Sequence, residues 1–97
     1  MSLFQAGDCL AYVYMVRCSD GSLYTGSAAD VARRIALHNS GRGAKYTRSR
    51  RPVCEVYRES CADRPAALRR EAAIKRLTRG QKLALVERGG GEKDAPA

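Results

Sequence analysis

Five side chains in this sequence can do chemistry together. Tyr14 closes the tripeptide Tyr12-Val13-Tyr14 and Tyr24 opens Tyr24-Thr25-Gly26, with nine residues between them. Arg34 and His38 follow at helical spacing, and Glu71 is a lone carboxylate in an otherwise apolar stripe. Two phenols, a guanidinium, an imidazole and one carboxylate match the needs of metal-assisted attack on a phosphodiester. That reaction requires a positioned water, cationic charge on the phosphoryl oxygens and stabilisation of the leaving oxygen. Each residue alone has a structural reading. Tyrosines are ordinary strand formers, a lone histidine is more often a satisfied core residue, and Arg34 with Glu71 can be an ion pair between helices. Their coincidence beside a basic segment favours the chemical reading.

The elements that must hold these residues are short. Ala11 to Cys18 is aromatic and β-branched and reads as a central strand buried on both faces. Ser19-Asp20-Gly21-Ser22 is a hairpin signal, and Leu23 to Gly26 returns as a second strand. Asp30 caps a helix over Val31 to about Asn39, stopped by Ser40-Gly41. Gly41 to Arg51 reads as a loop, and Pro52 to Tyr57 as an edge strand. Asp63 and Pro65 open a second helix to about Leu77. The capping box Thr78-Arg79-Gly80-Gln81 opens a third, which ends near Arg88. The expected fold class is α+β: a small three-stranded sheet flanked by helices, in the order β-β-α-β-α-α. Residues 1–88 are expected to form one domain, with 89–97 a disordered tail.

Helical geometry makes the polar residues conspicuous. The inward stripe of the first helix is Val31, Arg34, Ile35 and His38, and that of the second is Ala67, Leu68, Glu71 and Ile74. An unpaired buried carboxylate costs several kcal/mol, so Glu71 needs a metal, Lys75 at i+4, or an arginine of the first helix.

The 97 residues carry a net charge of +8, which points to a polyanionic partner, nucleic acid before membrane. No apolar run approaches the roughly 18 to 20 residues needed to span a bilayer. Met1 to Met15 contains no Lys or Arg and does not resemble a signal peptide, so the expected location is the cytoplasm. Cys9, Cys18, Cys54 and Cys61 lack zinc-site spacing and are expected to be thiols. Arg42, Lys45, Arg48, Arg50 and Arg51 fall within ten residues, with Tyr46 and no acid among them. Five phosphate contacts from this loop would give a slope of log K on log salt of about −4.5. A homodimer or a protein partner is compatible with so small a domain.

These residues resemble the GIY-YIG endonuclease superfamily, and most closely its small stand-alone bacterial members. Tyr12-Val13-Tyr14 and Tyr24-Thr25-Gly26 stand where its signature tripeptides stand. Arg34, His38 and Glu71 stand at its helix arginine, a following histidine and its metal-binding glutamate. The likeness covers about Ala11 to Arg88. Tyr12 and Thr25 depart from the usual glycine and isoleucine or valine, and Ser27 replaces a lysine found in some members. The resemblance implies a nuclease using Mg²⁺ or Mn²⁺ on Glu71, with Tyr14, Tyr24, Arg34 and His38 catalytic and Gly26 allowing close approach. No base-reading element is evident in the sequence, so structure is expected to matter over sequence, with DNA favoured over RNA; the resemblance suggests repair or recombination as setting. The alternative is a non-catalytic nucleic-acid-binding module on the same scaffold. A third reading, a protein-interaction domain with incidental charge, fits +8 poorly.

Overall fold

The element order expected from the sequence is the order found in the computed structural model, which describes residues 11–88, with one additional helical turn. Strands β1 (Ala11–Arg17), β2 (Leu23–Ala28) and β3 (Cys54–Cys61) form an antiparallel sheet in the order β2-β1-β3. Helix α1 (Val31–Asn39) follows β2. The additional turn α2 (Lys45–Arg48) lies inside the expected loop, and α3 (Arg64–Lys75) and α4 (Arg79–Glu87) follow β3. The tail read as disordered lies outside the described residues.

β1 is central, and its alternating side chains serve two cores. Ala11, Val13 and Met15 pack with Tyr57, with Ala67 and Ile74 of α3 and with Leu85 of α4. Tyr14 and Val16 point to the opposite face and pack with Val31 of α1 and with Val53. Burying a side chain as completely as Ile74, which is 0% exposed, contributes about 1.5–3 kcal/mol. Caps start the long helices. Asp30 accepts from the Arg33 amide, Asp63 from the Ala66 amide, and Thr78 with Gln81 closes a reciprocal box.

Three expectations need correction. Arg34 was placed on the inward stripe of the first helix but is exposed, and Leu68 of the second stripe is 48% exposed. In α1 the buried residues are Val31 and His38, and in α3 they are Ala67 and Ile74. Each pair is seven apart, so the contact line is narrower than a full apolar face and Arg34 and Leu68 fall on its flanks. The third strand runs further than Tyr57 because its charged residues find partners on the sheet surface. Arg58 pairs with Glu55 at 2.7 Å, and Glu59 with Arg70 of α3 at 2.7 Å.

Candidate active site

The site is built around β2, the sheet edge next to β1. Tyr14 and Gly26 face each other across the β1–β2 ladder. A methyl group at position 26 would sit 2.6 Å from the Tyr14 hydroxyl oxygen and 2.8 Å from Cζ. The glycine of the second tripeptide therefore makes room for the phenol of the first. Tyr14 is 1% exposed, so its hydroxyl must find a partner inside the protein.

That partner is His38, whose Nε2 lies 2.8 Å from the Tyr14 hydroxyl. The other ring nitrogen, Nδ1, lies 2.8 Å from Thr47 Oγ1, and Thr47 donates its own proton to the Ala44 carbonyl at 2.9 Å. These bonds select a tautomer. With its proton committed to Ala44, the Thr47 oxygen accepts from Nδ1–H. Nε2 is left with its lone pair toward Tyr14, which donates to it. A methyl group on Gly43 would lie 2.8 Å from the His38 Cα, so the basic segment packs directly on this imidazole.

Burial first, and the Arg34 guanidinium second, hold the pKa of His38 below its ordinary value. Burial first, then the nearby phenol of Tyr24 and the carboxylate of Glu71, push Tyr14 upward, while Arg34 acts in the opposite sense. The buried pair is thus a neutral phenol donating to a neutral imidazole. His38 is the one histidine of the chain, so its imidazole signal is unambiguous. An NMR titration is expected to place its midpoint below about 6.5. Because folding lowers this pKa, the unfolded chain binds the proton more readily. The stabilising contribution is then complete above about pH 6.5 and is lost as pH falls through the folded value. Denaturant unfolding at pH 7 and 5 should show that loss, and His38→Gln should diminish it.

Glu71 lies on the other face of the β2 edge. Its side chain is 16% exposed, with Ser27 donating to Oε1 at 2.8 Å and the Lys75 ammonium 2.9 Å from Oε2. Lys75 supplies the compensation that the sequence demanded, and the contact with Glu71 raises its pKa in turn. No group of three or more His, Cys, Asp or Glu occurs among the described residues, so they offer no all-protein metal cage. A cation at this carboxylate would have to displace the Lys75 ammonium from Oε2; a single carboxylate completed by waters and substrate phosphate is then the habit of Mg²⁺. Arg34 lines a cavity of about 360 Å³ together with Ser27. Thr25, between Tyr24 and Gly26, is buried, and its hydroxyl has no hydrogen-bond partner among the described residues.

Tyr24 is half-buried. Its ring packs edge-on against His38 at 5.3 Å and stacks on Tyr46 at 5.9 Å. Tyr14, Tyr24, Arg34, His38 and Glu71 thus surround one stretch of β2, the Tyr14–His38 pair on the α1 side and Glu71 on the α3 side. The basic residues divide. Arg50 bonds Asp20 at 3.0 Å and lies over the Tyr46 ring, and Arg51 donates to the carbonyls of Arg48 and Asn39. Arg42, Lys45 and Arg48 are exposed and make no ion pair among the described residues.

Sequence reasoning missed Thr47, 0% exposed, and Gly43. Neither carries a periodicity signal. Their roles arise only when α2 closes onto His38 across a gap in sequence.

The arrangement has relatives. A family model described as the GIY-YIG catalytic domain matches residues 10–84. A UPF0213 protein of Desulfotalea psychrophila is 57% identical over 77 residues, spanning 78% of this chain and 70% of its own length. One from Staphylococcus epidermidis is 54% identical over 78 residues, spanning 80% of this chain and 95% of its own. The solution NMR structure of a UPF0213 protein from Bacillus halodurans superposes with TM-score 0.54 and 46% identity, covering 84% of this chain and 87% of that one. That structure shares the three-stranded α+β architecture. With the tyrosine tripeptides, Arg34, His38 and Glu71 all inside the matched span, this chain belongs to the GIY-YIG catalytic-domain family of nuclease-type proteins.

Proposed function

We propose that this protein is a divalent-metal-dependent endonuclease that hydrolyses nucleic-acid phosphodiester bonds, DNA before RNA, with selectivity for structure over sequence. The observation that carries the reading is the Tyr14–His38 bond of 2.8 Å, whose tautomer leaves a basic nitrogen behind a buried phenol beside Glu71 and Arg34. Mg²⁺ or Mn²⁺ held by Glu71 would supply Lewis-acid charge to the phosphoryl oxygens and the attacking water. Arg34, exposed on its cavity, binds the phosphoryl oxygens through its planar guanidinium. Tyr24, the more exposed phenol, positions the water. The water oxygen bonds to phosphorus and its proton passes through the Tyr14 hydroxyl to His38 Nε2, while the bond to the leaving sugar oxygen breaks and that oxygen takes a proton from solvent water. This path needs no phenolate, which burial of Tyr14 disfavours.

We further propose that the protein acts in the cytoplasm, in repair or recombination. No helix of the described residues is long and apolar enough to cross a membrane. Wild-type protein should cut labelled branched, nicked or single-stranded oligonucleotides with Mg²⁺ and stop when EDTA is added. Salt-sensitive binding to the same panel without metal-dependent cutting would establish a binding module instead.

Arg42, Lys45 and Arg48 form the substrate grip, since Arg50 is engaged by Asp20 and Arg51 by the carbonyls of Arg48 and Asn39. Their three phosphate contacts contribute about −2.7 to the slope of log K on log salt, in place of about −4.5 from all five basic residues of the segment, beside what arginines at the site add. Replacing all three by alanine should flatten the slope measured by fluorescence anisotropy by about 2.7.

A further inference from the structure

We infer that the cavity between α1 and the start of α3 is a subsite for the phosphate neighbouring the one that is cut, with Arg64 as its principal ligand. The inference rests on the nuclease reading and specifies how that site holds its substrate. The cavity has a volume of about 360 Å³. Small side chains, Ala28, Ala29 and Ala67 among them, give it depth, and Arg34, Arg64 and Ser27 supply its polar lining. No carboxylate lines it, and neither guanidinium has an acidic partner among the described residues. Two guanidiniums over a small-residue floor suit a compact oxyanion able to accept several hydrogen bonds at once.

Position identifies the anion. Ser27 lines this cavity while its hydroxyl donates to Glu71 Oε1 at 2.8 Å, so the cavity opens beside the proposed metal ligand. A second cavity of about 320 Å³ lies at the other end of β2, lined by Tyr24, Tyr46, Lys75 and Lys82 among others. β2 is an edge strand, and the two cavities lie at its two ends. A nucleic-acid strand tracking this edge meets stacked tyrosines at one end, Glu71 near the middle and the arginine pair at the other. Arg34 then bridges the reacting phosphate and its neighbour, and Arg64 holds the neighbour alone.

The test scans oligonucleotides in which single phosphates are replaced by neutral methylphosphonates, against wild-type protein and Arg64→Ala. Binding is read by fluorescence anisotropy in EDTA and cleavage with Mg²⁺. Loss of one charge-assisted contact should weaken Arg64→Ala binding roughly tenfold. Its salt slope should flatten by about 0.9. In cleavage, KM should rise by a similar factor while kcat stays within about twofold, as for uniform binding. In wild type, one methylphosphonate beside the cleaved bond should cost at least the same factor, and in Arg64→Ala that substitution should cost less than in wild type, because only the Arg34 contact is left to lose. Arg64→Lys should recover part of the loss. Identical scans for wild type and Arg64→Ala would overturn the subsite, as would a binding loss in Arg64→Ala that no single methylphosphonate reproduces. The binding arm stays readable if no cleavage occurs, so failure of the nuclease reading is distinguishable from failure of the subsite.

Discussion

Tyr14→Phe should lower single-turnover cleavage by about 10²- to 10⁴-fold, the range for positioned proton transfer. The substitution keeps the ring that fills the space over Gly26 and removes only the hydroxyl. His38 Nε2 then loses its 2.8 Å partner in a buried setting, at a cost of about 1–3 kcal/mol in stability. Packing alone would give the stability loss with a proportionate fall in folded protein and an unchanged pH profile. The relay requires more. In wild type the base is active only when neutral, so the rate should rise with pH through the lowered pKa of His38 and level off above it. In Tyr14→Phe the connection between water and imidazole is cut, and that acidic limb should disappear from the residual rate.

The parts of this molecule set by neighbours in sequence were legible from sequence. Asp30, Asp63 and the Thr78–Gln81 pair start their helices through bonds to amides three residues on. The run from Ala11 to Val16 is apolar on alternate sides because both faces of β1 are covered. The parts set by contacts between distant segments were not legible. Helical periodicity places Arg34 and Leu68 on apolar stripes, but it does not give the width of the contact. A helix lying over a narrow line buries positions seven apart and leaves its flanks to solvent or to a cavity. The meaning of Gly26 depended on the register that sets it opposite Tyr14. Thr47 looked like one more polar residue in a basic loop. Its burial follows from a four-residue helical turn closing over an imidazole nine positions earlier. Arg50 and Arg51 read as free cations, yet Asp20 and three backbone carbonyls engage them.

Glu71→Gln is expected to abolish most metal-dependent cleavage while leaving the rest of the protein as it is. The neutral amide keeps the shape of the side chain and can still accept from Ser27, but it cannot hold a hydrated divalent cation in competition with water. Loss of several kcal/mol of transition-state charge stabilisation corresponds to a rate fall on the order of 10³-fold or more. The lost contact to Lys75, whose side chain is 50% exposed, contributes at most about 0.5 kcal/mol, so the thermal midpoint should barely move. DNA affinity in EDTA should be equal to or slightly tighter than wild type, because one negative charge leaves a basic surface. The decisive measurement compares wild type and Glu71→Gln on one labelled oligonucleotide panel, with cleavage in Mg²⁺ and binding in EDTA taken from the same preparations. A rate at least about 10³-fold lower with binding preserved is the outcome expected of a metal-ligating carboxylate. Cleavage by Glu71→Gln at the wild-type rate would contradict the account.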